Sequence, residues 1–420
     1  MYRRLIYILA FFALSSYHLY SQKITKRVMF LGNSYTFVND LPLMLSQLAA
    51  GTGDSLYYDS NTPGGYTLQG HSTNQASLSL IQQGGWDFMI IQEQSQLPSF
   101  PMSQFMSQSY PYAKMLCTKF RKYNQCGSPL FFMTWGRKNG DNQNCQVWPP
   151  VCTYQGMDSL LNLRYRMMAD SNEALVSPVG AVWHYIRDNY PNIELYDTDE
   201  SHPSQAGTYA AACTFYSMIF QKDPTNISKD MNLDPIKAAN IRNAAKVIAF
   251  DSLAKWNVGK FLPEAAFTFT KISWDTVEFH NTGKFASAFE WDFGDGDTAL
   301  TANPVHVYKN GSYTVTLKAK KCDLWDTTST LITIIPNGIT ENGVLKNIII
   351  YPNPAKNSIT VSSSENLGQI EIFGLDGRRI LSVKTGNKTV VISTTNLKQG
   401  SYAVKVQSSN GTKFFKLIKL

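Results

Sequence analysis

Residues 28–36 read Val-Met-Phe-Leu-Gly-Asn-Ser-Tyr-Thr, and this stretch decides how the N-terminal part of the chain folds. Its four apolar residues predict a short buried strand, which Gly32 and Asn33 bring to an end. Leucines at helical spacing follow within residues 41–50 and predict a helix. Ser34 therefore lies at a strand-to-helix turn, on the sheet edge where open α/β folds bind ligands. A serine that only caps a turn explains the same position equally well.

The pattern continues as alternating strands and helices to about residue 225. Predicted strands cover residues 55–60, 88–91, 130–134 and 176–179, and predicted helices cover 74–83, 110–123, 158–174, 182–190 and 203–220. Repeated strand–helix units of this size indicate a parallel sheet covered by helices on both faces. A further predicted helix at 235–255 closes the domain, so we expect an α/β fold for residues 24–258.

Beyond residue 263 the pattern becomes all-β. Short alternating segments separated by Asn, Asp and Gly turns predict a β-sandwich over residues 264–336. Residues 337–345 are expected to form a linker, and residues 346–420 a second small β module. The predicted organisation is one α/β domain followed by two small all-β sandwich domains.

The chain begins with the features of a secretory signal peptide, which we place at residues 1–21. Arg3 and Arg4 precede an apolar run at residues 5–14 that is too short to span a bilayer. No later segment reaches about 18 consecutive apolar residues, so no transmembrane segment is expected. We therefore expect a protein that is exported to the periplasm and then secreted or held at the cell surface.

The formal net charge of +7 arises mainly in the C-terminal tail. Residues 346–420 carry 11 Lys and Arg against three Asp and Glu, whereas residues 5–345 carry a small net negative charge. A basic α/β domain would favour nucleic acid as a partner, and this domain is not basic. We therefore expect no nucleic-acid partner.

The six cysteines suit an oxidising compartment. Cys145 and Cys152 bracket one short polar loop, and Cys117 and Cys126 bracket another, so both pairs are candidates for local disulfides. A zinc site is disfavoured because no CxxC motif or histidine-rich segment accompanies them, and we expect no metal and no cofactor. Cys213 lies in an apolar helical run and is predicted to be a buried free thiol.

His202 is the best candidate for a base that would activate Ser34, since a serine hydroxyl is a weak nucleophile without one. Asp199, three residues earlier, can orient the imidazole and stabilise its charged form. The proline at position 203 predicts that His202 lies at the first turn of a helix. The alternative is that Asp199 or Ser201 caps this helix and His202 is a surface residue.

Three short motifs resemble the blocks I, II and V of the SGNH (GDSL-like) hydrolase superfamily. They are Gly-Asn-Ser-Tyr-Thr at residues 32–36, Gly-Gly-Tyr-Thr at 64–67 and Asp-Glu-Ser-His at 199–202. The resemblance covers residues 24–225 and implies a flavodoxin-like sheet. It implies that Ser34 is the nucleophile, His202 the base and general acid, and Asp199 the orienting carboxylate. The backbone N–H groups of Ser34 and Gly65 would be oxyanion donors.

One block departs from this superfamily. A Gly-x-Asn-Asp motif is expected after the third strand, where the Asn side chain would be the third oxyanion donor, and residues 92–96 read Gln-Glu-Gln-Ser-Gln instead. A glutamine amide can donate the same hydrogen bond. We prefer Gln94, with Gln92 and Gln96 as alternatives, and a role in shaping the loop is also open. Such a block resembles those of some carbohydrate acetylesterases, which favours acylated polysaccharides as substrates.

Trp135 and Arg137 follow the fourth predicted strand and are expected to line the same cleft. A flat indole can stack on a sugar ring, and the guanidinium can bind an anionic group, although plain packing is the commoner role of such a tryptophan. Trp148, on the loop between two cysteines, is expected to form part of a rim.

Two C-terminal motifs resemble known modules. Residues 291–296 read Trp-Asp-Phe-Gly-Asp-Gly, which resembles the signature of PKD domains. Asp292, Asp295 and Asp297 suggest calcium, but a tight hairpin explains them better. The Tyr-Pro-Asn-Pro stretch at 351–354 resembles the C-terminal sorting domain of type IX secretion substrates, which implies the type IX secretion machinery as a partner.

Together these features predict a secreted serine esterase, a carboxylic ester hydrolase that removes acetyl or other short acyl groups from polysaccharides through an acyl-enzyme. One alternative is a lipid esterase of the same superfamily. The other is a non-catalytic surface protein that binds glycans or mediates adhesion, which the altered third block favours and the three triad residues oppose.

Overall fold

The computed structural model describes residues 23–335, 348–409 and 411–420, so the predicted signal peptide and linker lie outside the described residues. The chain divides into two compact units. The first comprises the described part of Met1–Ala265 together with Gly283–Phe289 and Lys318–Thr327. The second comprises the described parts of Ala266–Thr282, Glu290–Leu317 and Thr328–Leu420.

The first unit is built on a five-stranded parallel sheet in the order β2-β1-β3-β4-β5. Its strands are β1 Thr25–Leu31, β2 Ser55–Asn61, β3 Phe88–Ile91, β4 Ser128–Phe132 and β5 Leu175–Ser177. This order is that of the flavodoxin-like doubly wound fold. The predicted α/β fold class and flavodoxin-like sheet are confirmed.

Helices connect these strands and cover both faces of the sheet. They are α1 Ser34–Phe37, α2 Leu41–Gly51, α3 Leu68–Thr73, α4 Gln75–Gln82, α5 Met102–Gln108, α6 Tyr110–Tyr123, α7 Tyr154–Ser171, α8 Val179–Asn189, α9 Gln205–Phe220 and α10 Pro235–Ile248. Short 3₁₀ turns lie at Val38–Asp40, Leu97–Ser99, Pro149–Val151, Pro224–Asn226 and Phe250–Trp256. The helix predicted at 235–255 thus ends at Ile248 and continues as a 3₁₀ turn.

The carboxyl ends of the central strands lie level with one another. Leu31 at the end of β1 pairs with Asn61 on β2 and with Ile91 on β3. The chain segments that follow these three residues therefore meet at one edge of the sheet. Because β1 is covered on both faces, its run from Val28 to Leu31 is apolar and fully buried, which holds this edge in place.

Helix α9 begins two residues later than predicted. Ser204 is its N-cap, with its Oγ accepting the Gly207 amide at 3.1 Å, and the helix therefore starts at Gln205 rather than at Pro203. His202 consequently lies in the loop before the helix and not in its first turn. The Asp197 amide donates to the His202 carbonyl at 2.8 Å, which closes this loop.

The cysteines pair differently from the prediction in one case. Cys145 and Cys152 form the predicted local disulfide. Cys126 is bonded to Cys322 instead of Cys117, so the predicted Cys117–Cys126 pair is wrong. Cys117 is a free thiol that lies on the buried face of α6, within the core, whereas Cys126 is exposed in the turn that follows this helix. The prediction of a buried free thiol at Cys213 is confirmed.

The rest of the chain is all-β, as predicted. Its strands are β6 Phe267–Lys271, β7 Thr276–Asn281, β8 Ala288–Asp292, β9 Thr298–Ala299, β10 Val305–Val307, β11 Gly311–Lys321, β12 Leu324–Ile334, β13 Ile349–Tyr351, β14 Ser358–Ser362, β15 Leu367–Phe373, β16 Arg379–Lys384, β17 Thr389–Ser393, β18 Gly400–Ser408 and β19 Gly411–Lys419. They form sheets in the orders β10-β7-β6, β12-β11-β8-β9, β13-β14-β17 and β16-β15-β18-β19. Among the described residues, no helix has the length and apolar character needed to cross a membrane.

Candidate active site

Ser34 begins helix α1 directly after β1. Asn33 is the N-cap of this helix, and its Oδ1 accepts the Tyr35 amide at 3.1 Å. The Asn33 Nδ2 group donates to the Tyr66 carbonyl at 2.9 Å, which ties the turn after β1 to the turn after β2. Gln92, at the end of β3, accepts the Asn33 backbone amide at 3.0 Å. The half-buried Ser34 side chain is therefore held at the junction of three strand ends.

The structure brings Ser34, His202 and Asp199 together. The His202 Nε2 atom lies 2.8 Å from the Ser34 Oγ atom, and the His202 Nδ1 atom is hydrogen-bonded to an Asp199 carboxylate oxygen. The other Asp199 oxygen accepts the backbone amides of Ser201 at 3.0 Å and of His202 at 2.9 Å. Although partial burial acts in the opposite direction, these hydrogen bonds hold the pKa of the Asp199 carboxyl below its usual value. Asp199 is thus an anion that keeps the imidazole in one orientation.

The alternative reading of this loop as a helix cap does not hold. The N-cap of helix α9 is Ser204 rather than Asp199 or Ser201. The Ser201 hydroxyl is instead hydrogen-bonded to the Tyr35 hydroxyl at 2.7 Å. This contact joins the loop that carries His202 to the helix that begins at Ser34.

The backbone amides of Ser34 and Gly65 are the two candidate main-chain oxyanion donors. Neither Ser34 N nor Gly65 N has a hydrogen-bond acceptor within the part of the chain that the structure describes. Gly65 has φ +68° and follows Pro63 in a turn closed by the Tyr66 amide and the Pro63 carbonyl at 3.2 Å. Since this left-handed conformation favours glycine, the sequence places Gly65 where a side chain would strain the turn.

Two of the three candidate glutamines are committed to other partners. The Gln92 Nε2 group donates to Asn33 Oδ1 at 2.8 Å and to the Glu93 carbonyl at 2.6 Å, and the residue is fully buried. The Gln92 amide therefore supports the Ser34 turn and does not face a ligand, contrary to that alternative. The Gln96 Nε2 group donates to the buried carboxylate of Asp141 at 2.7 Å.

Gln94 is the glutamine whose side-chain donor is held least tightly. Its Oε1 accepts the amides of Gln96 at 2.8 Å and Leu97 at 3.1 Å, which orients the side chain. Its Nε2 group has only longer contacts, with Gln96 Oε1 at 3.2 Å and Ser95 Oγ at 3.4 Å. Gln94 remains the candidate for a side-chain oxyanion donor.

Trp135 does not line the cleft, contrary to the prediction. Its side chain is fully buried, and both faces of the indole are covered by other rings. Tyr35 stacks on one face at 4.8 Å between ring centroids, and Trp183 stacks on the other at 3.7 Å. The indole Nε1–H donates to the Ser201 carbonyl at 3.1 Å. Trp135 therefore packs behind the site and supports its loops, and it cannot stack on a sugar.

Arg137 is partly exposed and paired. Its guanidinium lies 3.3 Å from the buried Asp141 carboxylate, which also accepts the Gln96 amide. Its positive charge acts to lower the pKa of the Tyr35 hydroxyl. Burial nevertheless raises the pKa of the Tyr35 hydroxyl, which keeps it neutral and able to donate.

His71 is a structural partner of the Ser34 turn that sequence reasoning missed. It is completely buried, with Nε2 at 2.9 Å from the Gly32 carbonyl and Nδ1 at 2.8 Å from the Ser77 hydroxyl. Burial lowers the pKa of His71 to about 4, so the ring is neutral near pH 7. Since a carbonyl only accepts, Nε2–H donates to Gly32 and Nδ1 accepts from Ser77. Motif spacing carries no signal for this contact.

The acidic turn of the PKD-like segment behaves as the predicted hairpin. Asp292 and Asp295 each accept a turn amide, from Gly294 at 2.9 Å and from Asp297 at 3.2 Å. Asp295 also pairs with His306 at 2.8 Å. Asp295, Asp297 and His306 lie close enough to share an ion, but Asp292 does not belong to this group.

Two family models match the C-terminal half of the chain. One is described as PKD domain and matches residues 268–333, and the other is described as Secretion system C-terminal sorting domain and matches residues 349–420. Both predicted C-terminal resemblances are therefore confirmed. The sorting domain indicates export to the cell surface or beyond. A comparison with curated proteins finds no match.

Solved structures similar to the N-terminal region include SGNH and GDSL-like hydrolases. A DUF4886 family protein from Bacteroides uniformis is 17% identical, with a TM-score of 0.48, over 56% of this chain and 96% of that chain. A candidate SGNH hydrolase from Slackia heliotrinireducens is 22% identical, with a TM-score of 0.39, over 46% of this chain and 99% of that chain. The PKD1 domain of the metalloprotease PrtV from Vibrio cholerae is 30% identical, with a TM-score of 0.17, over 17% of this chain and 96% of that domain. The first two similarities concern the fold alone.

Proposed function

We propose that the α/β domain is a serine hydrolase that cleaves carboxylic esters outside the cell. The observation that carries this proposal is the continuous contact from Ser34 Oγ through the imidazole of His202 to the Asp199 carboxylate. A nucleophile, a base and an orienting anion in this geometry are what acyl transfer through a serine requires. The backbone amides of Ser34 and Gly65, which have no acceptor among the described residues, would stabilise the negative charge of the oxyanion.

In the proposed mechanism, Ser34 Oγ attacks the ester carbonyl while His202 Nε2 accepts its proton. Asp199 stabilises the resulting imidazolium, and the backbone amides of Ser34 and Gly65 bind the developing oxyanion with the Gln94 side chain. His202 then donates the proton to the leaving alcohol, which releases it and leaves the acyl group on Ser34. A water molecule activated by His202 hydrolyses this acyl-enzyme and restores the free hydroxyl.

We further propose that the substrate is an acetyl or other short acyl ester on a polysaccharide. The candidate site is open to solvent, because the side chains of His202 and Asp199 are 34% and 47% exposed. An exposed triad is accessible to an ester on a large polymer. The resemblance of the glutamine-containing third block to carbohydrate acetylesterases favours the same class, and the sorting domain would bring the enzyme to extracellular polymers.

The test is labelling of the full chain with a fluorophosphonate probe, which reacts with activated serine nucleophiles. We expect labelling of the wild type and of Ser103→Ala, an exposed serine on α5 that serves as the matched control, and no labelling of Ser34→Ala. Acetate release from acetylated polysaccharides, compared with hydrolysis of long-chain lipid esters, then assigns the substrate. Absence of labelling in the folded wild type, with glycan binding retained, would replace this proposal by the non-catalytic binding protein.

A further inference from the structure

A buried carboxyl group lies next to the candidate oxyanion donors and has no part in the proposed triad. Glu93 directly follows β3 and its neighbour Gln92, and its side chain is fully buried. Its Oε2 atom has no hydrogen-bond partner among the described residues. A buried carboxyl group is costly to maintain unless its hydrogen bonds serve the fold or the chemistry.

The other carboxyl oxygen of Glu93 joins two chain segments. Glu93 Oε1 accepts the Leu68 amide at 3.0 Å and the Gln94 amide at 2.7 Å. Leu68 is the first residue of α3 and follows the turn that carries Gly65. Gln94 carries the candidate side-chain donor. A single oxygen atom therefore accepts hydrogen bonds from both of the segments that carry the candidate oxyanion donors.

Other contacts hold each segment to the Ser34 turn but not to each other. Tyr66 is tied to Asn33 through its carbonyl, and Gln92 is tied to the Asn33 backbone amide. Among the described residues, the one hydrogen bond between residues 62–68 and residues 92–96 runs from the Leu68 amide to Glu93. Loss of this acceptor would leave the Leu68 amide buried without a partner and would remove the direct hydrogen bond between the two segments, so that the contacts through Asn33 would have to hold them.

We propose that Glu93 is a positioning residue that sets the spacing of the oxyanion donors by accepting hydrogen bonds from both segments. This inference rests on the proposed ester hydrolase function. Glu93 does not touch the substrate, and it acts through the Gly65 turn and the Gln94 side chain. Because a misplaced donor weakens stabilisation of the transition state more than binding of the ground state, its removal lowers kcat while KM changes little.

The test compares variants of the full chain in hydrolysis of p-nitrophenyl acetate. Glu93→Gln keeps the length of the side chain and its Oε1 acceptor, whereas Glu93→Met keeps a similar volume without an acceptor. We expect Glu93→Met to lower kcat by about 10- to 100-fold with KM within about twofold, and Glu93→Gln to stay within about threefold of the wild type. Near-ultraviolet circular dichroism and thermal midpoints establish that each variant is folded.

A folded Glu93→Met with wild-type kcat, or a Glu93→Gln as slow as Glu93→Met, would overturn the positioning role. Should Glu93→Met fail to fold, Glu93→Asp takes its place, because it keeps the carboxyl but withdraws the acceptor by one methylene. A lowered kcat in Glu93→Asp supports the proposal, and an unchanged kcat refutes it. A wild type that neither turns over the ester nor reacts with fluorophosphonate refutes the proposed function itself, which is a distinct outcome.

Discussion

Asp199 carries the clearest prediction at the scale of single residues. Its carboxylate accepts a hydrogen bond from His202 Nδ1, which leaves Nε2 free to accept the Ser34 proton. In Asp199→Asn an amide replaces the carboxylate, so the favoured tautomer and the stabilisation of the imidazolium are both lost. We expect kcat to fall by about a thousandfold or more with little change in KM, measured on p-nitrophenyl acetate.

Asp197→Asn is the matched control for this prediction. Asp197 belongs to the same exposed loop, and its carboxylate accepts the Thr198 amide at 2.7 Å instead of contacting the imidazole. The control should therefore keep the wild-type kcat. Equal activity of Asp199→Asn and Asp197→Asn would show that the contact between Asp199 and His202 has no role in turnover.

The residues of the candidate triad could be predicted from sequence because each lies in a short local motif at a strand end or helix start. Ser34 follows an apolar strand and a Gly-Asn break, and Asp199 precedes His202 by three residues. Trp135 was misassigned for a physical reason. The position after β4 is compatible with either the cleft or the core, and only the rings of Tyr35 and Trp183 on its two faces place it in the core.

At the scale of elements, the hydrogen bonds of His71 join α3 and α4 to the turn that follows β1. His71 on α3 bonds the Gly32 carbonyl and the Ser77 hydroxyl of α4. The sequence predicted most element bounds to within a few residues, because apolar periodicity and capping residues are local signals. It did not predict the two hydrogen bonds of His71, because they depend on how the helices pack in the folded chain.

The burial of His71 predicts that the free energy of unfolding decreases at acid pH. Burial lowers the pKa of His71 to about 4, against about 6.5 in the unfolded chain. Between these values the unfolded chain binds a proton that the folded chain does not, so the stabilisation is present above pH 6.5 and is lost as the pH falls through 4. We expect the free energy of unfolding to fall by about 3 kcal/mol from this group across that range.

Urea denaturation at pH 7 and at pH 4.5 measures this effect, with His71→Asn as the control that cannot titrate. The difference in free energy of unfolding between the wild type and His71→Asn should shrink as the pH falls. A difference that stays constant between the two pH values would mean that His71 is already charged in the folded protein or gains no burial on folding.

At the scale of the whole molecule, the chain combines an α/β unit with segments that match the models of a PKD domain and of a secretion sorting domain. The PKD and sorting segments could be predicted from sequence because each has its signature in one short continuous stretch of the chain. The Cys126–Cys322 disulfide was not readable, because its two cysteines are 196 residues apart and their pairing depends on the folded chain. The local Cys145–Cys152 pair, with a separation of 7, was readable for the opposite reason.

We expect the Cys126–Cys322 disulfide to contribute more to stability and the Cys145–Cys152 disulfide to contribute more to activity. In the chain-entropy model, the 196-residue separation of Cys126 and Cys322 corresponds to about 5 kcal/mol of stabilisation, and the separation of 7 corresponds to about 2 kcal/mol. The double substitution Cys126→Ser/Cys322→Ser should therefore lower the free energy of unfolding more than Cys145→Ser/Cys152→Ser does. Denaturation of both variants under oxidising conditions measures this order, and the reverse order would contradict it.

Activity should follow the reverse order. Cys126 precedes β4 at the amino end of the sheet, remote from the strand ends that carry Ser34. The Cys145 loop instead begins beside Asp141, whose carboxylate holds Gln96 and Arg137 near the candidate site. We expect the Cys145→Ser/Cys152→Ser variant to lose about two- to tenfold in kcat on a polysaccharide ester, while Cys126→Ser/Cys322→Ser keeps the wild-type rate at temperatures where it is folded. A loss of kcat confined to Cys126→Ser/Cys322→Ser would mean that the long-range disulfide, rather than the local loop, supports the arrangement of the site.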